Sequence, residues 1–317
     1  MKILYQIKEN SIHIIRCFGN DSKVIIPAVI AGFPVISVGD YAFSAQKRAE
    51  NMDVLTYEEG NPFGQQEYLL AGNEVTEIIF PESIRSIGRY VFYGCKALRS
   101  LTFYDTLTDI GSGAFTGCSG LQFLKVYLKQ GQKSCVKDIL EVLWQRIDVE
   151  FIYADETLTR ARLVFPQHYE EAVENTPARI LYTQHHGSGN DYRQCFYNKE
   201  INYRKYDDSF VYAVARDKMS MITDMVFDRL LYPVELSEKH KMIYHNYIKE
   251  NLKEIIKCLL KNDSIESIKY ISTANLWDEE NLKAAIGYCA GKDKELMSYL
   301  MNEKHKLAPA KKKKFEL

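Results

Sequence analysis

The chain has 317 residues, with 41 basic against 42 acidic side chains and a formal net charge of −1. That balance exerts no global pull on nucleic acid or an anionic membrane, and the length suffices for a sizeable core in two or three domains. No stretch approaches the roughly 18 consecutive apolar residues of a membrane-spanning helix. The seven cysteines are odd in number, widely spaced and free of any Cys-x-x-Cys pattern. Neither a disulfide framework nor a structural zinc site is expected from them. Charges at Lys2, Lys8 and Glu9 interrupt the first ten residues, so they do not read as a secretory signal. The expectation is a cytoplasmic protein with reduced thiols, extracellular only if a leader has been removed. Tyrosine is abundant at 22 residues, a composition that suits recognition surfaces and equally a tyrosine-packed core.

In chain order, Ile3, Tyr5 and Ile7 alternate, Lys8–Ser11 turns, and Ile12 and Ile14 alternate again, which predicts a hairpin. A second turn at Gly19-Asn20-Asp21 leads into Val24–Pro27. Residues 44–74 are polar and irregular, with a helix-prone stretch at 44–51 and a turn at Asn61–Gly64. They read as an insertion on one face of a repeat region. From Val75 the sequence repeats: Ile87, Gly88, Phe92, Gly94, Cys95 and Leu98 recur as Ile110, Gly111, Phe115, Gly117, Cys118 and Leu121, each 23 residues on. A fixed period in the twenties signals a solenoid, whose units bury their apolar sides only against their neighbours. Gly88 and Gly111 fall where a coil is expected to turn sharply, and Cys95 and Cys118 are expected to stack as small buried thiols. An earlier unit spans Val24–Phe43, giving three units and a degraded fourth, with the hairpin as the N-terminal cap.

Residues 1–126 resemble the BspA-type leucine-rich repeat family on these positions. The resemblance implies a β-rich solenoid that presents surfaces for adhesion or partner binding rather than catalysis. Arg85, Arg89, Tyr93, Tyr104 and Asp105 are the candidate repeat surface.

Residues 121–154 are expected to close the solenoid. Phe123, Leu124 and Val126 form a strand. Val136, Ile139, Leu140, Val142, Leu143 and Ile147 recur at helical spacing with Ser134 as a cap, and Val149–Ile152 forms another strand. Beyond these, Arg162–Pro166 reads as a strand, Tyr169–Glu174 as a short helix and Ala178–Tyr182 as a strand. The loop His185-His186-Gly187-Ser188-Gly189, with Arg193, is the candidate ligand or partner loop, since glycine-rich turns can cradle an anion. No Walker lysine comes after it. His185 or His186 with Cys195 and Asp191 supplies the residue types of a thiol triad, but crowded into eleven residues, whereas triad members come from separate elements. Adjacent strand histidines face opposite sides and do not easily share a metal ion. No cofactor motif is present.

From residue 206 the pattern turns helical. Met219 to Leu230 has helical spacing ended by Pro233, and a long helical run is expected over Ser237–Leu260. Glu250-Asn251-Leu252-Lys253 recurs as Glu280-Asn281-Leu282-Lys283, and Ile268, Tyr270 and Ile271 recur 29 residues on as Met297, Tyr299 and Leu300. These offsets imply a helix–turn–helix unit used twice, with Asp263 and Glu266 as a capping box. The segment resembles degenerate ankyrin repeats, without their Thr-Pro-Leu-His turn. The tail, Leu307–Lys314, reads as disordered and basic.

The whole reads as an α+β multidomain chain: a leucine-rich-repeat solenoid (1–128), an α/β connector (129–205), a helical ankyrin-like domain (206–306) and a basic tail (307–317). The function expected is a non-catalytic scaffold or adaptor for a protein partner. The alternatives are a ligand sensor or hydrolase-like site around His185–Cys195, and a surface adhesin whose leader is missing.

Overall fold

The 23-residue period becomes a stack of coils. The structure is a computed structural model that describes residues 1–46, 53–58, 67–175, 180–289 and 293–307. Each coil gives one strand to a parallel sheet, in the order Lys23–Ile25, Glu77–Ile79, Ser100–Tyr104, Phe123–Leu128 and Ile147–Tyr153. The register sets Val24, Ile78, Leu101, Leu124 and Val149 in one row, and all five are buried. The stack is therefore one coil longer than the residue pattern shows: the strand at Ile147–Tyr153 is a further parallel rung. Arg160–Phe165 then pairs antiparallel with it and ends the sheet. An edge strand leaves unpaired backbone groups. At this edge the Tyr206 hydroxyl donates to the Val164 carbonyl (2.7 Å) and accepts from the Val164 N–H (3.0 Å).

The other side of the stack is a second sheet. Ser86–Ile87 and Asp109–Ile110 run parallel to Phe33–Val38, which pairs with Ser11–Gly19 of the N-terminal hairpin. The hairpin thus adjoins the first coil, as its alternation predicts. Between the sheets run ladders with the period of the sequence. Phe92 packs on Phe43 (5.5 Å between centroids) and on Phe115 (5.3 Å). The Cys95 thiol donates to the Phe43 carbonyl and the Cys118 thiol to the Phe92 carbonyl, each at 3.2 Å.

Gly88 and Gly111 are required for a reason other than the expected sharp turn. A Cβ on Gly111 would lie 2.4 Å from Arg89 N, and one on Gly88 2.4 Å from Asp40 N. Successive coils meet there backbone to backbone, and any side chain would hold them apart. The turn itself falls two residues later, at Tyr41 (φ 59°), Tyr90 (φ 53°) and Gly113 (φ 68°). The two tyrosines occupy a left-handed conformation that costs about 1 kcal/mol each, and they stack at 5.2 Å.

Past the parallel rungs the expectations need correction. The helix is Val136–Glu141 only; Cys135, not Ser134, occupies its N-cap position and makes no side-chain cap bond. Ile147 opens a strand instead of closing the helix. Tyr169–Asn175 is a strand, not a helix, and pairs antiparallel with Ile180–His186. Cross-strand partners decide this: Tyr169 stacks on His186 at 4.3 Å, and Glu170 and Glu171 meet His185 and His186. Short helices Gly189–Arg193, Tyr203–Asp208 and Phe210–Arg216 come next.

The described residues fall into two compact units, Met1–Arg216 and Asp217–Leu317. The second is helical. Met219–Leu231 stops just before Pro233. The long run expected from Ser237 is two helices, Glu238–Glu250 and Leu252–Lys261, because Asn251 leaves helical φ and its side-chain amide donates to the Tyr247 carbonyl at 3.0 Å. Ile265–Thr273, Glu279–Cys289 and Lys294–Leu307 complete the unit. The 29–30-residue offsets match positions of one helix pair to positions of the next along the chain: Leu252 to Leu282 and Ile271 to Leu300, all buried. Asp263 does not cap a helix; it sits at φ 51° and Ser264 takes the N-cap position. The expected turn at 61–64, most of the 44–51 stretch, Ala178–Arg179 and the basic tail beyond Leu307 lie outside the described residues.

Candidate interaction surface and the histidine loop

The outer face of the parallel sheet sets side chains in register, with Tyr104, Lys125, Tyr127 and Glu150 half-buried and Thr102 and Ile152 buried. One row reads Thr102, Lys125, Glu150, Arg162; the next reads Tyr104, Tyr127, Ile152, Arg160. Tyr104 and Tyr127 stack at 4.8 Å. The Lys129 ammonium lies 5.2 Å from the Tyr104 ring centre and Lys125 5.9 Å from that of Tyr127, within cation–π range. Glu150 holds Arg162 at 3.1 Å and Lys125 at 3.6 Å. The hydrogen bond from Lys129 to Glu82 raises the lysine above its ordinary value and keeps it cationic. Phe123, at the start of its strand, is 50% exposed. The face therefore offers flat aromatic area bordered by fixed charges.

The five candidate repeat residues are not one surface. Arg85 and Arg89 flank the strand Ser86–Ile87 of the second sheet, with Tyr93 beyond them. Arg89 is tied to Asp40 of the previous coil at 3.1 Å, and Tyr93 packs edge-on against Tyr90. Tyr104 belongs to the parallel sheet. Asp105 is buried rather than displayed, and one of its oxygens accepts the Gln130 N–H. Tyr127 and the neighbouring lysines escape the residue pattern as read above, yet they carry a signal: Tyr127 lies one 23-residue period after Tyr104.

The histidine loop is split in the same way. His185, His186 and Gly187 line a cavity of about 180 Å³ with His168, Tyr169, Asn190, Asp191 and Arg216. Asp191 is held by Arg216 at 2.9 Å. His168 has a buried Nδ1 with no hydrogen-bond partner among the described residues, and burial, then Arg193, lowers its pKa. Arg193 itself is turned away from ligand: it is buried, and its guanidinium donates to the carbonyls of Leu140, Leu143, Pro166, Gly189 and Gln145 at 2.6–3.2 Å. Ser188 and Gly189 are buried beside it. A Cβ on Gly189 would meet the Pro166 carbonyl at 2.1 Å, so the second glycine of the loop serves packing. Cys195 is buried against Ser209 and the Asp191 carbonyl, and burial pushes its thiol up to about 11. A protonated thiol without a base beside it is not an activated nucleophile. Among the described residues no three His, Cys, Asp or Glu side chains are grouped to hold a metal ion, and no helix is long and apolar enough to cross a membrane.

Residues 64–138 match the family described as BspA type leucine rich repeat region. No curated protein matches the chain. Among solved structures, a leucine rich cell surface protein from Faecalibacterium prausnitzii is 23% identical with a TM-score of 0.27, over 40% of this chain and 31% of its own. The T. pallidum leucine rich repeat protein is 16% identical with a TM-score of 0.22, over 42% of this chain and 73% of its own. A leucine-rich repeat protein from Bacteroides ovatus is 18% identical with a TM-score of 0.20, over 41% of this chain and 48% of its own. The chain thus spans less than a third of the first structure's length. The matched stretch is the one whose period stacks the coils, and it is this repeat region that is similar to the BspA-type family.

Proposed function

We propose that the protein is a non-catalytic interaction scaffold that grips a protein partner through the outer face of its parallel sheet. The observation that carries this reading is the Tyr104–Tyr127 stack flanked by Lys125 and Lys129, a rigid aromatic platform fixed by backbone register. Tyrosine gives contact area at low entropic cost, and such residues dominate binding energy at interfaces. The paired helices of the second unit fit a degenerate ankyrin-like module and would add a second surface. The seven cysteines are free, which supports a reducing compartment and hence the cytoplasm. Fractionation of the native host tests that placement; recovery at the cell surface favours the adhesin.

The test of the scaffold is capture of partners from native lysate by wild-type protein, by Tyr104→Ala/Tyr127→Ala and by Arg85→Ala/Tyr93→Ala. The reading expects a partner that the first variant loses and the second keeps. The converse moves the surface to the turn side of the coils; equal capture by all three removes the sheet from consideration.

A second reading is favoured by the orphaned His168 nitrogen: the 180 Å³ cavity would take a small polar ligand. His168→Phe fills that position without a polar atom, and a ligand whose affinity is unchanged by it does not bind there.

A further inference from the structure

The cavity beside the histidine loop is lined by a carboxylate and a guanidinium that neutralise each other: Arg216 Nη1 donates to Asp191 Oδ2 at 2.9 Å. Among the described residues the other Asp191 oxygen accepts no hydrogen bond, and the remaining guanidinium N–H groups donate none. The pair therefore holds an acceptor and donors side by side. Burial and Arg193 disfavour the charged form of His168. Glu170 and Glu171, which meet His185 and His186 across the ribbon, do not line the cavity. No charge of one sign prevails among the lining side chains.

Three further groups are available there. Asn190, exposed, makes no side-chain hydrogen bond among the described residues. His168 adds its orphaned Nδ1. Tyr169, half-exposed and stacked on His186 at 4.3 Å, supplies a flat aromatic plate. The walls are set in advance, because Arg193 bonds the Pro166 carbonyl at 2.6 Å and the Gly189 carbonyl at 3.0 Å, just before His168 and Asn190. A site fixed in this way loses little entropy on binding.

A carboxylate placed at the pair would meet Asp191, and an ammonium would meet Arg216, so an ion of either sign is opposed. A hydroxyl is donor and acceptor at once, and two neighbouring hydroxyls fit an acceptor and a donor held side by side. A sugar ring offers such hydroxyls on its edge and a C–H face that packs on an aromatic ring. The volume of about 180 Å³ holds roughly six waters at about 30 Å³ each, room for one such ring and not for a chain of them.

We propose that this cavity binds one uncharged six-membered sugar ring, its C–H face on Tyr169, two adjacent hydroxyls on Asp191, Arg216 and Asn190, and a third toward His168 Nδ1. This rests on the reading of the cavity as a small-ligand site and is independent of the scaffold.

Saturation-transfer NMR on the full-length protein at neutral pH tests it, with the methyl glycosides of glucose, galactose and mannose and with each sugar's uronate and 2-amino analogue. At least one neutral glycoside should receive saturation, mainly on the C–H groups of one ring face, and bind more tightly than its charged analogues. Asn190→Ala should weaken it about tenfold, the loss of one or two ordinary hydrogen bonds. Asp191→Asn leaves Arg216 unpaired and should turn the preference toward the uronate; Arg216→Gln should turn it toward the amino sugar. A loosened fold does not produce such opposite reversals. A disaccharide ending in the same ring separates the two sources: equal binding supports the terminus of a glycan, and its loss supports a free sugar. No saturation of any neutral glycoside, or binding unchanged in all three variants, overturns the proposal. A charged analogue that alone binds, and that His168→Phe abolishes, overturns the sugar and leaves the cavity a ligand site. Binding of every probe unaltered by His168→Phe removes the cavity as well.

Discussion

A few single atoms decide how the coils meet. Gly111→Ala would place a methyl group 2.4 Å from backbone atoms of the preceding coil, which cannot yield as a side-chain end does. Overpacking of this kind costs about 1–3 kcal/mol, read as a lower urea midpoint. Gly131→Ala, where nothing lies within 4 Å, should stay within about 0.5 kcal/mol of wild type. Arg193 is the other such residue. Its five carbonyl acceptors tie the end of Val136–Glu141 to Pro166 and Gly189, and a lysine cannot reproduce the planar fork. Arg193→Lys should cost on the order of 3 kcal/mol, since buried acceptors lose their donors, without altering partner capture by the sheet face. At this scale the sequence is legible where a position repeats. Gly88, Cys95 and Phe92 announce themselves by recurrence, and Tyr127 does so once the period is extended by one unit. Arg193, which recurs nowhere, reads as a ligand residue because nothing local shows that five carbonyls surround it.

The strands and helices divide by what stabilises them. The parallel rungs are short and are held by their neighbours, so their apolar positions suffice to find them. The outermost strand, Arg160–Phe165, is paired along one edge with Ile147–Tyr153, and on its other edge Val164 relies on one hydroxyl. Tyr206→Phe removes both bonds to Val164 and leaves buried backbone groups unpaired, at about 1–3 kcal/mol. Faster amide exchange at Val164 than at Leu163 would localise the loss. The strand Tyr169–Asn175 reads as a helix in the sequence because its glutamates suit either state; the choice lies with Tyr169, His185 and His186 across the ribbon. The break at Asn251 is hidden for a similar reason, as the apolar spacing continues through it and only the amide's bond to Tyr247 marks the end.

For the molecule as a whole, buried thiols set a limit at alkaline pH. Burial raises Cys95 and Cys195 from the ordinary 9.0 to about 11 and Cys17 to about 12, and it raises Cys118 and Cys135 as well. The unfolded chain loses these protons near pH 9 while the folded protein keeps them. Their contribution to stability is therefore full below pH 9 and is lost as pH rises from 9 through 11 to 12. Urea midpoints measured under reducing conditions should fall steeply over that range, and less steeply in a Cys17→Ala/Cys95→Ala variant. At about pH 8, below the ordinary thiol pKa, a thiol reagent should reach the half-exposed Cys258 and spare the six buried cysteines until denaturant is added. The helical unit has its own buried core, from Ile222 and Val226 through Ile256 to Leu300. Residues 217–317 expressed alone should give a cooperative helical melt; a non-cooperative one would show that this core is insufficient.

The order of residues alone specifies the coil repeat, the hairpin beside it and the paired helices of the second unit. In each, the same apolar spacing recurs, and a periodic pattern can be buried in few ways. Which polar residues face outward together is settled in three dimensions. Asp105 is spent inside the stack and Arg89, though exposed, is tied to Asp40 of the previous coil, while Tyr104, Tyr127 and the lysines beside them share the outer face of the parallel sheet. Register between strands sets that distinction, and the coils can stack closely enough to pair because Gly88 and Gly111 leave no side chain between their backbones.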